Sequence, residues 1–279
     1  MASARERSAG TGDLVVSADG TQIAFDRSGT GPAVVLVASA LADRSDTAKL
    51  AALLAEDFTV INYDRRGRGA SGDADSYTPD REIEDIAALV AHVGGSASLF
   101  GSSSGAVLAL RAAAAGVDVD RLALYEPPFV VADGDDGPPG DLAQQVNALL
   151  ADGRDGDAVR YFMTRVQGMP GAAVFFMKLM PKVWANLTGM ARTLPYDIAV
   201  MGDTQRGEPL RPEEWQGVTV PTRVLTGGKS PAAFRRAADA VTEILPRADH
   251  RVLPGLGHGA VVMTPRKIAP QITEFLKMS

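Results

Sequence analysis

The sequence predicts an α/β fold: a mostly parallel central sheet with helices on both faces, interrupted by an all-helical segment. Three observations predict it. Short apolar runs without alternation, as in strands buried on both faces, recur along the first half of the chain. Between them lie stretches with apolar residues at helical spacing, and such strand–helix alternation builds a parallel sheet. The alternation stops near residue 132 and resumes after 217, so residues 1–131 and 218–279 form the core and 132–217 the helical insert.

Residues 14–16 and 22–26 flank Asp19-Gly20, a hairpin-type turn signal. The run 33–37 (Ala-Val-Val-Leu-Val) is the first fully buried strand, and 58–62 the next, with a short helix at 48–55 between them. Ile83, Ile86, Leu89 and Val90 share one side of a helix over 80–93. A short strand at 98–100, an Ala-rich helix at 105–115 and a strand at 121–125 follow. The Asp/Gly/Pro stretch 133–140 is a loop by composition, and 141–203 holds helical patterns and no convincing strand. Strands at 222–226 and 251–253 then alternate with helices at 232–245 and 268–277.

A chain of 279 residues with 46% hydrophobic and 22% charged residues has the material for one large folded domain. Its net charge of −6 argues against a protein whose main task is gripping nucleic acid or an anionic membrane. Without cysteine there is no disulfide, thiolate metal site or Cys nucleophile. With only His92, His250 and His258, a multi-histidine metal centre is not expected, and a catalytic imidazole must be one of the three. Residues 1–10 carry charges but no apolar run, which reads as a frayed lead-in and not a secretory signal. No run approaches the ~18 apolar residues of a membrane span. A soluble, cytoplasmic protein is the expectation, and a homodimer is left open.

Gly101, Ser102, Ser103, Ser104 and Gly105 fit G-x-S-x-G, with Ser103 at the centre. A strand ends just before this motif and a helix opens just after it. A sharp strand-to-helix turn strains the central residue and lifts its hydroxyl off the sheet. Flanking glycines remove the Cβ atoms that would crowd the turn. The helix N-terminus brings free N–H groups near any oxyanion formed there. Ser102 and Ser104 lack the glycine bracket at the right offset and are poorer nucleophile candidates.

Together with two further motifs, this segment resembles the α/β-hydrolase superfamily. Residues 63–71 (Tyr-Asp-Arg-Arg-Gly-Arg-Gly-Ala-Ser) match the D-x-R-G-x-G-x-S segment after the family's fourth strand. Residues 253–259, ending in His258-Gly259, match the segment that carries the family's catalytic histidine. The resemblance covers nearly all of 14–279, the helical cap excepted. It implies an α/β-hydrolase core, a serine nucleophile at Ser103 and a base at His258, since a hydroxyl needs a base to become a good nucleophile. Of the other histidines, His92 is expected on a helix, solvated or packed, and His250 at the exposed end of a strand.

The family's acid usually follows the seventh strand, but residues 224–231 contain no Asp or Glu. Some members take it from the end of the sixth strand, where this chain has Glu126 before two prolines. Ser103, His258 and Glu126 are therefore the expected triad, with Asp203 and Asp197 as fallback acids. Lys229 cannot orient an imidazolium and is expected to be solvated. The resemblance puts oxyanion donors at the backbone N–H of Ser104 and, counting from the third strand, of Ala40; Ser39 either adds a hydroxyl or is a turn residue. The Arg65–Arg68 cluster reads as a brace for its loop in preference to an anion site.

Six of the nine methionines fall within 132–217, with several aromatics. Most are expected to form that unit's own core, and Phe175, Phe176, Met177, Met180 and Trp184 are the candidates for lining an apolar substrate pocket. The leading functional reading is a serine hydrolase of an ester, lactone or thioester with an apolar body, without cofactor or metal. The alternatives are a cofactor-free lyase or isomerase using His258 as acid/base, and a non-catalytic small-molecule-binding protein on the same scaffold.

Overall fold

The computed structural model describes residues 12–135 and 137–278. The lead-in expected at 1–10 lies outside the described residues. The chain forms an eight-stranded sheet ordered β1-β2-β4-β3-β5-β6-β7-β8. Its strands are β1 (Asp13–Val16), β2 (Gln22–Ser28), β3 (Ala33–Val37), β4 (Thr59–Tyr63), β5 (Ala97–Ser102), β6 (Val119–Tyr125), β7 (Thr222–Gly227) and β8 (Ala248–Leu253). β1 and β2 pair antiparallel, and β3 to β8 are mutually parallel.

Successive residues of β3 feed opposite sides of the sheet, as the two-residue period of a strand requires. Val35 and Val37 join the layer under helices α2 (Pro79–His92), α3 (Ser104–Ala114) and α10 (Ala232–Ile244). Val34 and Leu36 join the layer under α1 (Arg44–Leu54), the short α11 (Ala260–Met263) and α12 (Pro265–Leu276). Both faces are thus covered, and the unbroken apolar runs of the sequence have their physical reason here.

Between β6 and β7 the described residues form helices and no strand: α4 (Leu142–Ala151), α5 (Asp155–Arg165), α6 (Gly171–Lys178), α7 (Pro181–Gly189), a 3₁₀ turn at Ala191–Thr193, α8 (Leu194–Met201) and α9 (Pro212–Trp215). Val146, Val159, Phe162, Met163, Val174 and Leu194 form a separate core, and Ala40 and Leu41 of the loop after β3 belong to it. The insert is therefore docked on that loop. Among the described residues no helix is long and apolar enough to cross a membrane.

Several boundaries differ from the periodicity reading, and two of them have a clear local cause. Helix α1 starts at Arg44, not near 48, because Asp43 caps it: its carboxylate accepts the Ser45 N–H at 2.7 Å while Asp46 accepts the Asp43 N–H at 3.0 Å. Strand β8 starts at Ala248, so His250 lies inside it and not at an exposed end. Its polar stretch pairs only with β7, at the sheet's edge, where polar side chains are tolerated.

The sequence order reverses between β3 and β5, which places the topological switch point at the C-terminal ends of these strands, where parallel sheets bind ligands. Helix α3 approaches β3 closely there, and only a glycine permits it. A Cβ on Gly105 would sit 2.3 Å from the Val37 carbonyl oxygen and 2.5 Å from that of Ala38. Gly105→Ala should therefore lose more than about 2 kcal/mol of stability in urea unfolding. Gly171→Ala, where a Cβ meets nothing within 4 Å, should stay within about 1 kcal/mol of wild type.

Candidate active site

Strand β5 ends at Ser102 and α3 begins at Ser104, leaving Ser103 alone in the turn. Its φ of 52° is a left-handed conformation that an L-residue rarely adopts. The N–H of Ser103 donates to the Tyr125 carbonyl at 2.9 Å, tying the turn to β6. The glycine bracket is needed for space: a Cβ on Gly101 would lie 2.4 Å from the Gly105 carbonyl oxygen.

His258 stands in the loop between β8 and α11. Its Nε2 lies 3.2 Å from Ser103 Oγ, and its Nδ1 lies 2.7 Å from Glu126 Oε2. The Phe234 ring stacks on the imidazole, with centroids 4.7 Å apart. The Tyr125 hydroxyl donates to the carbonyl of Gly257 at 2.7 Å, fixing the residue before the histidine. Burial, together with the nearby Glu126 charge, pushes the Tyr125 phenol above its ordinary range, so it remains a donor.

Glu126 follows directly on β6, has φ 48° and is fully buried. Its other carboxylate oxygen, Oε1, accepts the Gly227 N–H at 2.6 Å. The end of β7, which supplies no acid, thus supplies a donor that seats one. Gly227 must be glycine for the neighbouring loop to pass, because a Cβ there would lie 2.5 Å from the Leu256 carbonyl oxygen.

Ser103 and His258 open onto a cavity of about 440 Å³, also bordered by Ala40 and Ser104. Apolar side chains such as Phe129, Phe162, Val166, Ile198, Met201 and Phe234 dominate its wall. Among the described residues, no group of three or more His, Cys, Asp or Glu side chains is arranged to hold a metal ion.

A family model for the alpha/beta hydrolase family matches residues 20–271. The chain belongs to this family. An α/β hydrolase from Sphaerobacter thermophilus is 47% identical, with a TM-score of 0.87 over 95% of this chain and 100% of that one. An enol-lactonase from Burkholderia xenovorans shares the fold at 22% identity and TM-score 0.71, over 95% of this chain and 100% of that one. A stretch covering 33% of this chain is 36% identical to the uncharacterized hydrolase YraK of Bacillus subtilis, spanning 35% of that relative's length.

In this α/β hydrolase the five residues singled out from the insert do not line the cavity. Phe175, Phe176 and Met180 are exposed on α6 and at the start of α7, while Met177 and Trp184 pack half-buried within the insert's own core. The physical reason is packing within the insert: α6 has 8 residues and fully buries only Val174, with Met177 half-buried against the same core and both phenylalanines turned outward. The insert's share of the wall comes mainly from α5 and α8, whose Phe162 and Met201 belong to the same Met- and aromatic-rich segment. Nearness to the strand ends, not density of apolar residues, was the discriminating signal.

Neither fallback acid partners His258, although Asp197 borders the same cavity. Asp203 is exposed and paired with Arg206 at 2.7 Å. Asp197 is buried, accepting from Arg65 at 2.8 Å, Arg68 at 2.7 Å and the Ser104 hydroxyl at 2.8 Å. His250 bridges Thr226 and Asp239, each at 2.8 Å, and His92 sits against the Phe25 ring. Lys229 is exposed.

The arginines after β4 brace more than their own loop. Arg65, Arg66 and Arg68 are each at most 2% exposed. Arg66 forks onto Asp85 at 2.7 and 2.8 Å, and Arg65 forks onto Glu82 at 2.6 Å twice. Burial acts to raise the Asp197 pKa, but Arg68, Arg65 and the Ser104 hydroxyl outweigh it and hold the carboxyl below its ordinary value. A depressed folded-state pKa contributes stability above the unfolded value of about 3.9, and that contribution is lost as pH falls further. Asp197→Ala should therefore cost about 3–5 kcal/mol in urea unfolding at pH 7, because two buried cations lose a partner. The gap from wild type should narrow below about pH 4.

Proposed function

We propose that this chain is a serine hydrolase that cleaves a carboxylic ester, lactone or thioester with an apolar body through an acyl-enzyme on Ser103. One observation carries the reading: the unbroken relay Ser103 Oγ, His258 Nε2 and Nδ1, Glu126 Oε2, with links of 3.2 and 2.7 Å, opens onto a largely apolar cavity. On this reading residues 132–217 act as a cap that forms one wall of the substrate site.

His258 Nε2 takes the Ser103 hydroxyl proton as the oxygen bonds to the substrate carbonyl carbon. The carbonyl oxygen becomes an oxyanion facing the backbone N–H groups of Ala40 and Ser104. The imidazolium returns its proton to the leaving alcohol or thiol as the carbon–leaving-group bond breaks, and the acyl group stays on Ser103. Water, deprotonated by the same imidazole, then attacks the ester. The carboxylic acid leaves and Ser103 regains its proton.

Glu126 has two tasks in this cycle. It accepts from Nδ1–H, which keeps Nε2 free to take a proton, and it stabilises the imidazolium. Because Oε1 is already occupied by Gly227, only one orientation of the carboxylate serves both partners. The missing acid after β7 gives no motive for a binding-only reading, since β6 supplies a carboxylate within reach.

A fluorophosphonate probe should label Ser103 in the wild type, and the label should be lost in Ser103→Ala along with turnover of p-nitrophenyl acyl esters. Turnover that persists in Ser103→Ala would instead place the chemistry on His258 as acid/base. Glu126→Gln should keep the fold, by circular dichroism, and lower kcat by about 10³- to 10⁴-fold, as expected when the imidazole loses its orienting acid.

A further inference from the structure

We infer that Asp197, contributed by the helical insert, is a positioning residue that sets both oxyanion donors of the core, Ala40 through Arg68 and Ser104 through its hydroxyl. The inference rests on the serine-hydrolase reading and adds a role for a residue that borders the cavity but hydrogen-bonds to Arg65, Arg68 and Ser104, not to the nucleophile or base.

The geometry begins at the loop after β3. Arg68 donates to the carbonyls of Ser39 at 2.7 Å and Ala42 at 3.2 Å, and Arg65 donates to that of Ala38 at 3.2 Å. The Ser39 carbonyl and the Ala40 N–H belong to one peptide plane, and no cis peptide occurs among the described residues. In a trans peptide these two groups point in opposite directions. A guanidinium that holds the carbonyl on one side therefore aims the Ala40 N–H away from itself, and Ala40 borders the cavity.

The second donor is held by the same carboxylate. Asp197 Oδ1 accepts from the Ser104 hydroxyl and from Arg65, both at 2.8 Å, while Oδ2 accepts from Arg68 at 2.7 Å. Ser104 opens α3, and tethering its side chain fixes the rotation of the first helical turn. One carboxylate thus spans the two segments whose N–H groups must converge on a single oxygen. Nothing in stability alone calls for this. Buried ion pairs of this kind often do no better than apolar packing, because desolvation offsets their attraction. What an apolar cluster lacks is direction, and direction is what two converging donors need.

The test measures kcat and KM on a p-nitrophenyl ester, together with inhibition by phenylboronic acid, whose tetrahedral serine adduct places an oxygen where the oxyanion would sit. Ser104→Ala, Arg68→Lys and Asp197→Asn are compared with wild type, each checked by circular dichroism and thermal melting to be folded at the assay temperature. Loss of donor alignment should lower kcat by roughly 10-fold in Ser104→Ala and roughly 100-fold in Arg68→Lys and Asp197→Asn, with KM within about twofold. The boronic acid's affinity should fall in step with kcat. Should Asp197→Asn not fold, Ser104→Ala decides, since it removes no buried charge. Folded Ser104→Ala and Arg68→Lys with kcat unchanged, or with a change confined to KM, would overturn the inference. A wild type with neither turnover nor fluorophosphonate label would overturn the serine-hydrolase reading itself, and this inference with it.

Discussion

A single buried carboxylate, Glu126, ties together the ends of three strands. Its N–H donates to Leu225 of β7 at 3.0 Å, one of its oxygens accepts from Gly227, and the other meets the imidazole beyond β8. A buried charge is tolerable only when its hydrogen-bonding capacity is met, and here both oxygens have partners. The sheet register that brings β6, β7 and β8 side by side is therefore also what makes this acid bearable in the interior. Shift β7 by one residue and the Gly227 N–H no longer faces Oε1.

The backbone stores strain at the same place. Among the described residues, Leu41, Ser103 and Glu126 are the non-glycine positions with positive φ. They follow β3, β5 and β6, adjacent in the sheet, and all lie at its C-terminal edge. Each such residue costs on the order of 1–3 kcal/mol and persists only where its surroundings over-determine it. Those surroundings are visible: the tight α3–β3 approach at Gly105, the insert's core closing over Leu41, and the hydrogen bonds that pin Ser103 and Glu126 to the next strand. Strain here fixes where three side chains and two peptide groups point.

Much of this was legible in the sequence because it rests on local chemistry. Unbroken apolar runs marked the buried strands, and the glycine pair around Ser103 marked the turn. The absence of any acid after β7 directed attention to Glu126, which the structure brings to His258. What the sequence hid depends on long-range placement. Asp197 lies 93 residues from Ser104 and 129 from Arg68, and no local pattern joins them. The cavity wall is hidden for the same reason: Phe175 and Phe162 look alike in composition, and only the packing of α5 and α6 separates them. The strand around His250 is hidden because a polar edge strand lacks the apolar signature of its neighbours.

On the proposed reading, in which the acid arrives from β6, the loop after β7 is released from chemical duty. That loop leads into Pro231, Ala232, Ala233 and Phe234, which border the cavity, and it carries no carboxylate that must keep a fixed position. That reading assigns reactivity and selectivity to different stretches of chain. The rim can drift, lengthen or swap its small alanines for bulkier groups while the relay beneath stays intact, a division of labour that leaves this scaffold open to new substrates through changes at its doorway alone.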